Sequence, residues 1–123
     1  MNYPTYDQAP ATVAATSLVA ISRWIDEAPR NAARDREAAT WGRISKIGEE
    51  FGEVIAAFIA FTGQNPRKPQ DSDALIGVGK ELLDVALTAL GAYEHLTDHQ
   101  GLAIGDLFEH IEYVRDRALG PAV

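Results

Sequence analysis

Two short stretches of this 123-residue chain concentrate carboxylates of the kind that bind metal ions. Lys46-Ile47-Gly48-Glu49-Glu50-Phe51-Gly52-Glu53-Val54 holds Glu49, Glu50 and Glu53. Lys80-Glu81-Leu82-Leu83-Asp84-Val85 holds Glu81 and Asp84. Residues three apart share a helical face, so Glu50 pairs with Glu53 and Glu81 with Asp84. Two antiparallel helices carrying these stretches would aim four carboxylates at one point. Like charges so placed repel unless a cation neutralises them. Mg²⁺, with Mn²⁺ as a substitute, suits such a site, because it takes oxygen ligands and keeps room for water or phosphate oxygens. The ordinary reading of an isolated Glu-x-x-Glu is a solvated helix face. Here Phe51, Val54, Leu82, Leu83 and Val85 surround the acids, and acids among apolar residues are not typical surface charges.

The elements that would position these groups read as helices. After Pro10, Ala14, Leu18, Ile21 and Ile25 recur at helical spacing, and Pro29 stops that helix by about Ala28. A polar, Arg-rich linker, 30–36, follows, with Asp35 placed to cap a long second helix over about 36–62. Trp41, Ile44, Ile47, Phe51, Val54, Ile55, Phe58 and Ile59 mark its apolar face. Gly63 reads as its C-terminal stop, and Pro66 and Pro69 lie in the loop 63–72. Asp71 or Ser72 can cap a third helix over about 73–96, and a fourth covers about 102–119. No segment alternates at period two, so strands are not expected. The short connections predict an all-α, four-helix bundle-like fold of antiparallel helices, one domain over 1–123. The second and third helices are apolar around much of their circumference. That implies burial against further copies, as a homodimer or homotetramer. Gly42, Gly48, Gly52, Gly77, Gly79 and Gly91 fall inside helices, where each costs about 1 kcal/mol relative to Ala. One reading is close helix packing; a second, compatible with it, is that Gly48 and Gly52 keep space free beside the carboxylates.

Composition narrows the function. With 46% hydrophobic and 24% charged residues, the chain can build a core. A net charge of −7 argues against a nucleic-acid polymer as partner, since that needs an extended basic surface. The absence of Cys excludes disulfides, thiolate metal sites and Cys nucleophiles. The first ten residues do not read as a signal peptide, and no apolar run reaches the roughly 20 residues of a membrane span. A cytoplasmic protein with no membrane partner is the expectation.

The run EEFGE followed downstream by ELLD resembles the EExxE…ExxD signature of MazG-like nucleotide pyrophosphohydrolases, the all-α NTP pyrophosphatase superfamily. The flanking KIGEEFGEV and KELLDVALTAL resemble that family's two core helices, and the likeness covers about 41–95. It implies hydrolysis of nucleoside triphosphates between the α- and β-phosphates, giving a monophosphate and pyrophosphate, as nucleotide-pool housecleaning. By the same likeness Glu50, Glu53, Glu81 and Asp84 would hold Mg²⁺. Glu49 would act as general base or support the ligands from behind. It sits about 100° around the helix from Glu50.

Further candidates attach to a triphosphate substrate. Lys46, one turn before Glu50, and Lys80, beside Glu81, could reach phosphates. Arg67 and Lys68, in the Pro-stiffened loop, could clamp them, with Gln64 and Asn65 offering hydrogen bonds. Each cation reads equally as a solvated surface charge. Trp41 could stack on a base or pack in the core, and Trp24 reads as packing. His95 and His99, four apart, read as ordinary residues near a helix C-terminus.

Three rivals remain. A di-iron carboxylate bundle needs Glu-x-x-His, and no His here has a Glu three residues before it. A non-catalytic helical oligomerisation or interaction module would use the acids only to specify assembly. A specialised relative would act on phosphoribosyl-ATP or dUTP.

Overall fold

The structure, a computed structural model, describes residues 8–120. These form five helices and no strand: α1 (Gln8–Glu27), α2 (Pro29–Ala32), α3 (Arg36–Thr62), α4 (Ala74–Leu96) and α5 (Ala103–Leu119). The all-α class and the four long helices match the sequence reading. The short helix α2 does not, because 30–36 was expected to be linker throughout. Pro29 both ends α1 and opens α2, its fixed φ suiting a first helical position. Asn31 Nδ2 then donates to Ile25 O at 2.8 Å, which folds α2 back on the last turn of α1.

The long hairpin α3–α4 carries both acidic stretches. Asp35 caps α3 as its sequence suggests, accepting from Ala38 N at 2.8 Å. Gly63 ends α3 in the left-handed region at φ 68°, and a Cβ there would stand 2.9 Å from Gln70 Cβ. The start of α4 departs from expectation. Asp73 occupies the cap position without a side-chain bond, and Asp71 Oδ1 accepts from Asp73 N instead. The two helices run antiparallel. Arg36, at the start of α3, donates to Leu96 O at the end of α4 (3.3 Å), while Asp71 N returns to Ala60 O (3.0 Å).

Helix α1 packs mainly on α4, and α5 rests on α1 and α4. The junction of these helices is polar. Among the described residues the buried apolar side chains are Leu18, Ala92 and Ala103, while Ser22, Arg43, Glu94 and His95 are buried too, Ser22 and Glu94 completely. Large apolar side chains of α3 and α4 instead face outward, including Phe51, Ile76 (82% exposed) and Leu83 (71%). No helix among the described residues is long and apolar enough to cross a membrane.

Candidate metal centre

Three of the proposed ligands meet. One carboxylate oxygen from each of Glu50, Glu53 and Glu81 lies within 4.8 Å of the other two. Helical spacing puts Glu50 and Glu53 on one face of α3, and the antiparallel return brings Glu81 of α4 opposite them. Asp84, one turn further along α4, is outside this group of three. Glu50 and Glu81 are half-buried, and Glu53 is exposed. Glu81 Oε2 is buried and has no hydrogen-bond partner. A buried carboxylate oxygen without a donor is unfavourable, and a cation would satisfy it. The donor set is all oxygen, which fits Mg²⁺ or Mn²⁺ better than a soft transition metal.

Glu49 points elsewhere. Its carboxylate is exposed and bonds Lys46 Nζ at 3.0 Å, while Glu50 Oε1 lies 3.4 Å from the same nitrogen. The hydrogen bond to Glu49 and the charges of both acids raise the Lys46 pKa above its ordinary value, against a smaller effect of burial. Lys46 therefore stays charged at the edge of the carboxylate group.

Five of the six glycines singled out in this hairpin make no close packing contact within the chain. A Cβ added at Gly42, Gly48, Gly52, Gly77 or Gly79 would meet nothing within 4 Å. That agrees with free space beside the acids. Gly91 alone of the six is crowded: its Cβ would stand 3.1 Å from Arg43 Nη2.

The loop begins at the end of α3, nine residues or ~14 Å of helix beyond Glu53. Asn65 and Lys68 fold back from it and line a small cavity with Ala56, Ile59 and Ala60 of α3. Asn65 Oδ1 accepts from Arg67 N at 3.0 Å, so that side chain shapes its own turn. Arg67, Lys68 and Lys80 are exposed. Trp41 is 63% exposed, which excludes the core reading. Trp24 is 74% exposed and lines a cleft of about 400 Å³ between α1–α2 and the α3–α4 pair, so it is not packing either. Lys46 lies on the wall of the same cleft.

Sequence reasoning missed a second polar centre at the other end of the hairpin. Asp26 accepts from Arg43 Nη1 (3.0 Å) and from His95 Nδ1 (2.6 Å). His95 Nε2 in turn lies 2.9 Å from the Thr40 hydroxyl. The Ser22 hydroxyl donates to Gly91 O (3.1 Å), accepts from Arg43 Nη2 (2.8 Å) and is 2.8 Å from His99 Nε2. Its one hydrogen is spent on Gly91, so His99 Nε2 must be the donor. His99 sits at φ 57°, a left-handed conformation that a non-glycine residue holds only when its surroundings fix it. Burial lowers the His99 pKa, against the attraction of Asp26. Fully buried Glu94 accepts from Gly101 N (3.0 Å) and Ala103 N (2.8 Å), so a residue of α4 caps α5. The sequence signal was faint: a Ser, an Asp and an Arg within otherwise apolar periodicity, with two His four apart.

No protein-family model, curated protein or solved structure matches this chain.

Proposed function

We propose that this protein is a divalent-metal-dependent nucleoside triphosphate pyrophosphohydrolase, converting a (d)NTP to the monophosphate and pyrophosphate in nucleotide-pool housecleaning. The observation that carries the reading is the convergence of Glu50, Glu53 and Glu81 from two helices, with one Glu81 oxygen buried and unpartnered. The EExxE…ExxD spacing and its resemblance to MazG-like enzymes supply the reaction.

On this reading Glu50, Glu53 and Glu81 would hold Mg²⁺, with Asp84, one turn further along α4, as a further candidate ligand. When bound, the ion neutralises the carboxylates and polarises phosphate oxygens. Lys46 supplies a fixed positive charge beside them for the polyphosphate. Glu49, which bonds Lys46 and points away from the three carboxylates, would support the site from behind by positioning that lysine. The outward apolar faces of α3 and α4 are covered by further copies of the chain, in a homodimer or homotetramer.

A panel of standard and modified triphosphates, read for pyrophosphate release in Mg²⁺ or Mn²⁺, tests the reading. Turnover of at least one member is expected, and no turnover of any member would refute it. The second reading, a non-catalytic assembly module, is favoured only by the exposed apolar side chains. It predicts the same oligomer without turnover.

A further inference from the structure

The cleft lined by Trp24 and Lys46 lies along α3 from the carboxylates, and its walls suggest what occupies it. Gly42, Lys46 and Glu50 follow one another at helical turns, so the cleft lining at Gly42 is ~12 Å along α3 from Glu50. That is about the span of a nucleoside with its first phosphates. At about 400 Å³ the cleft is of the size that holds a small molecule. One wall is apolar and aromatic, with Ile21 and the exposed Trp24 from α1. Leu87 and Thr88 of α4 also line it. Gly42 lines it without a side chain, and a Cβ there would meet nothing within 4 Å. Arg34 and Asn31 line it as well, bonded to each other. The Asp26 and Arg43 groups that reach the cleft are likewise paired, so the lining is mostly apolar with few free polar groups. A ligand fitting both ends has a planar ring for the cleft and an anionic tail for Lys46 and a carboxylate-held cation.

We propose that this cleft is the nucleoside subsite of the triphosphate site, with Trp24 the platform on which the base stacks. The proposal rests on the pyrophosphohydrolase reading for its substrate. It assigns base contact to Trp24 of α1, where sequence reasoning had looked to Trp41, which does not line the cleft. Apolar walls with few free hydrogen-bonding groups favour a ring by its face more than by its edge, so discrimination among bases is modest.

Two measurements test it. The chain has two Trp residues, so Trp41→Phe leaves Trp24 as its sole indole. Titrating that variant with free nucleosides, without metal, is expected to quench its fluorescence saturably with at least one of them. In the second, Trp24→Ala is expected to raise the KM of the triphosphate roughly tenfold with kcat little changed, and Trp24→Phe to restore most of it. Absence of saturable quenching by every nucleoside overturns the subsite, and so does an unchanged KM in Trp24→Ala. The two readings fail separately. Turnover with an unchanged KM removes the subsite and keeps the enzyme. If no triphosphate is turned over, the enzyme reading falls and the metal-free quenching alone decides whether the cleft takes a nucleoside.

Discussion

Lys46 Nζ lies 3.4 Å from Glu50 Oε1, one helical turn away, at the junction of the carboxylate group and the cleft. A cation entering the carboxylates competes with this lysine for Glu50. Lys46 is half-exposed while Glu50 is largely covered, and a helical pair one turn apart is worth only ~0.3–0.5 kcal/mol. Lys46→Met should therefore tighten binding of Mg²⁺ alone by no more than about twofold. The same variant should raise the KM for triphosphate about tenfold, through loss of a charged hydrogen bond. Calorimetric titration with Mg²⁺ and steady-state kinetics check the two signs. Weaker metal binding in the variant would contradict this placement of Lys46.

Asp26 is the common acceptor of Arg43 and His95 where α1, α3 and α4 meet. Asp26→Ala leaves a buried guanidinium without its counter-charge. Breaking a buried pair by removing one partner costs about 3–5 kcal/mol, and the partial exposure of Asp26 places the expected loss near the lower end. Urea unfolding measures it. A loss under about 1 kcal/mol, the scale of an exposed pair, would show that the network does not hold the helices together.

His99 gives the fold a pH dependence with a definite sign. Its pKa in the folded chain is lowered from 6.5, chiefly by burial; Asp26 opposes this, and Arg23, His95 and Arg43 add to it. Below 6.5 the unfolded chain therefore binds the proton more readily than the folded one. Its contribution to stability is fully present above 6.5 and is lost as pH falls through the lowered folded value. Wild type should lose more stability than His99→Gln as pH drops below 6.5, seen as a growing difference in its fall of urea midpoint. Parallel pH profiles for the two proteins would contradict it.

The outward apolar residues of α4 predict assembly. Ile76 and Leu83 are seven residues apart and so share a helical face. Sedimentation of wild type should show a dimer or tetramer, and Ile76→Lys with Leu83→Lys should shift it toward monomer. A concentration-independent wild-type monomer would contradict the assembly.

Much of this molecule was legible from local chemistry. The ends of α3 were readable because Asp35 and Gly63 announce them by residue type, one by an acceptor side chain and the other by a left-handed φ. Convergence of Glu50, Glu53 and Glu81 was readable because helical period and an antiparallel return determine it. Position along a helix did not say whether Asp84 would stand with them, because that depends on the register between α3 and α4. The polar junction was hidden for a related reason. Ser22, Asp26, Arg43, His95 and His99 are scattered across the chain, and only packing reveals them as one network. Glu94 capping α5 is invisible locally, since a cap is sought just before a helix and this one comes from the previous helix. The packing readings of Trp24 and Trp41 failed because apolarity predicts burial, whereas this chain buries polar groups and turns large apolar side chains outward.

On the proposed reading, the Glu50, Glu53 and Glu81 carboxylates hold the metal that makes this chain a pyrophosphohydrolase. Phosphorus NMR of a (d)NTP incubated with wild type and with Glu81→Gln, in Mg²⁺, alongside metal-free thermal unfolding of both, tests it. Wild type should give equimolar monophosphate and pyrophosphate, and Glu81→Gln neither. The metal-free variant should melt no lower than wild type, because the substitution removes a repelled charge. Undiminished turnover by Glu81→Gln, or diphosphate and inorganic phosphate as the wild-type products, would contradict it.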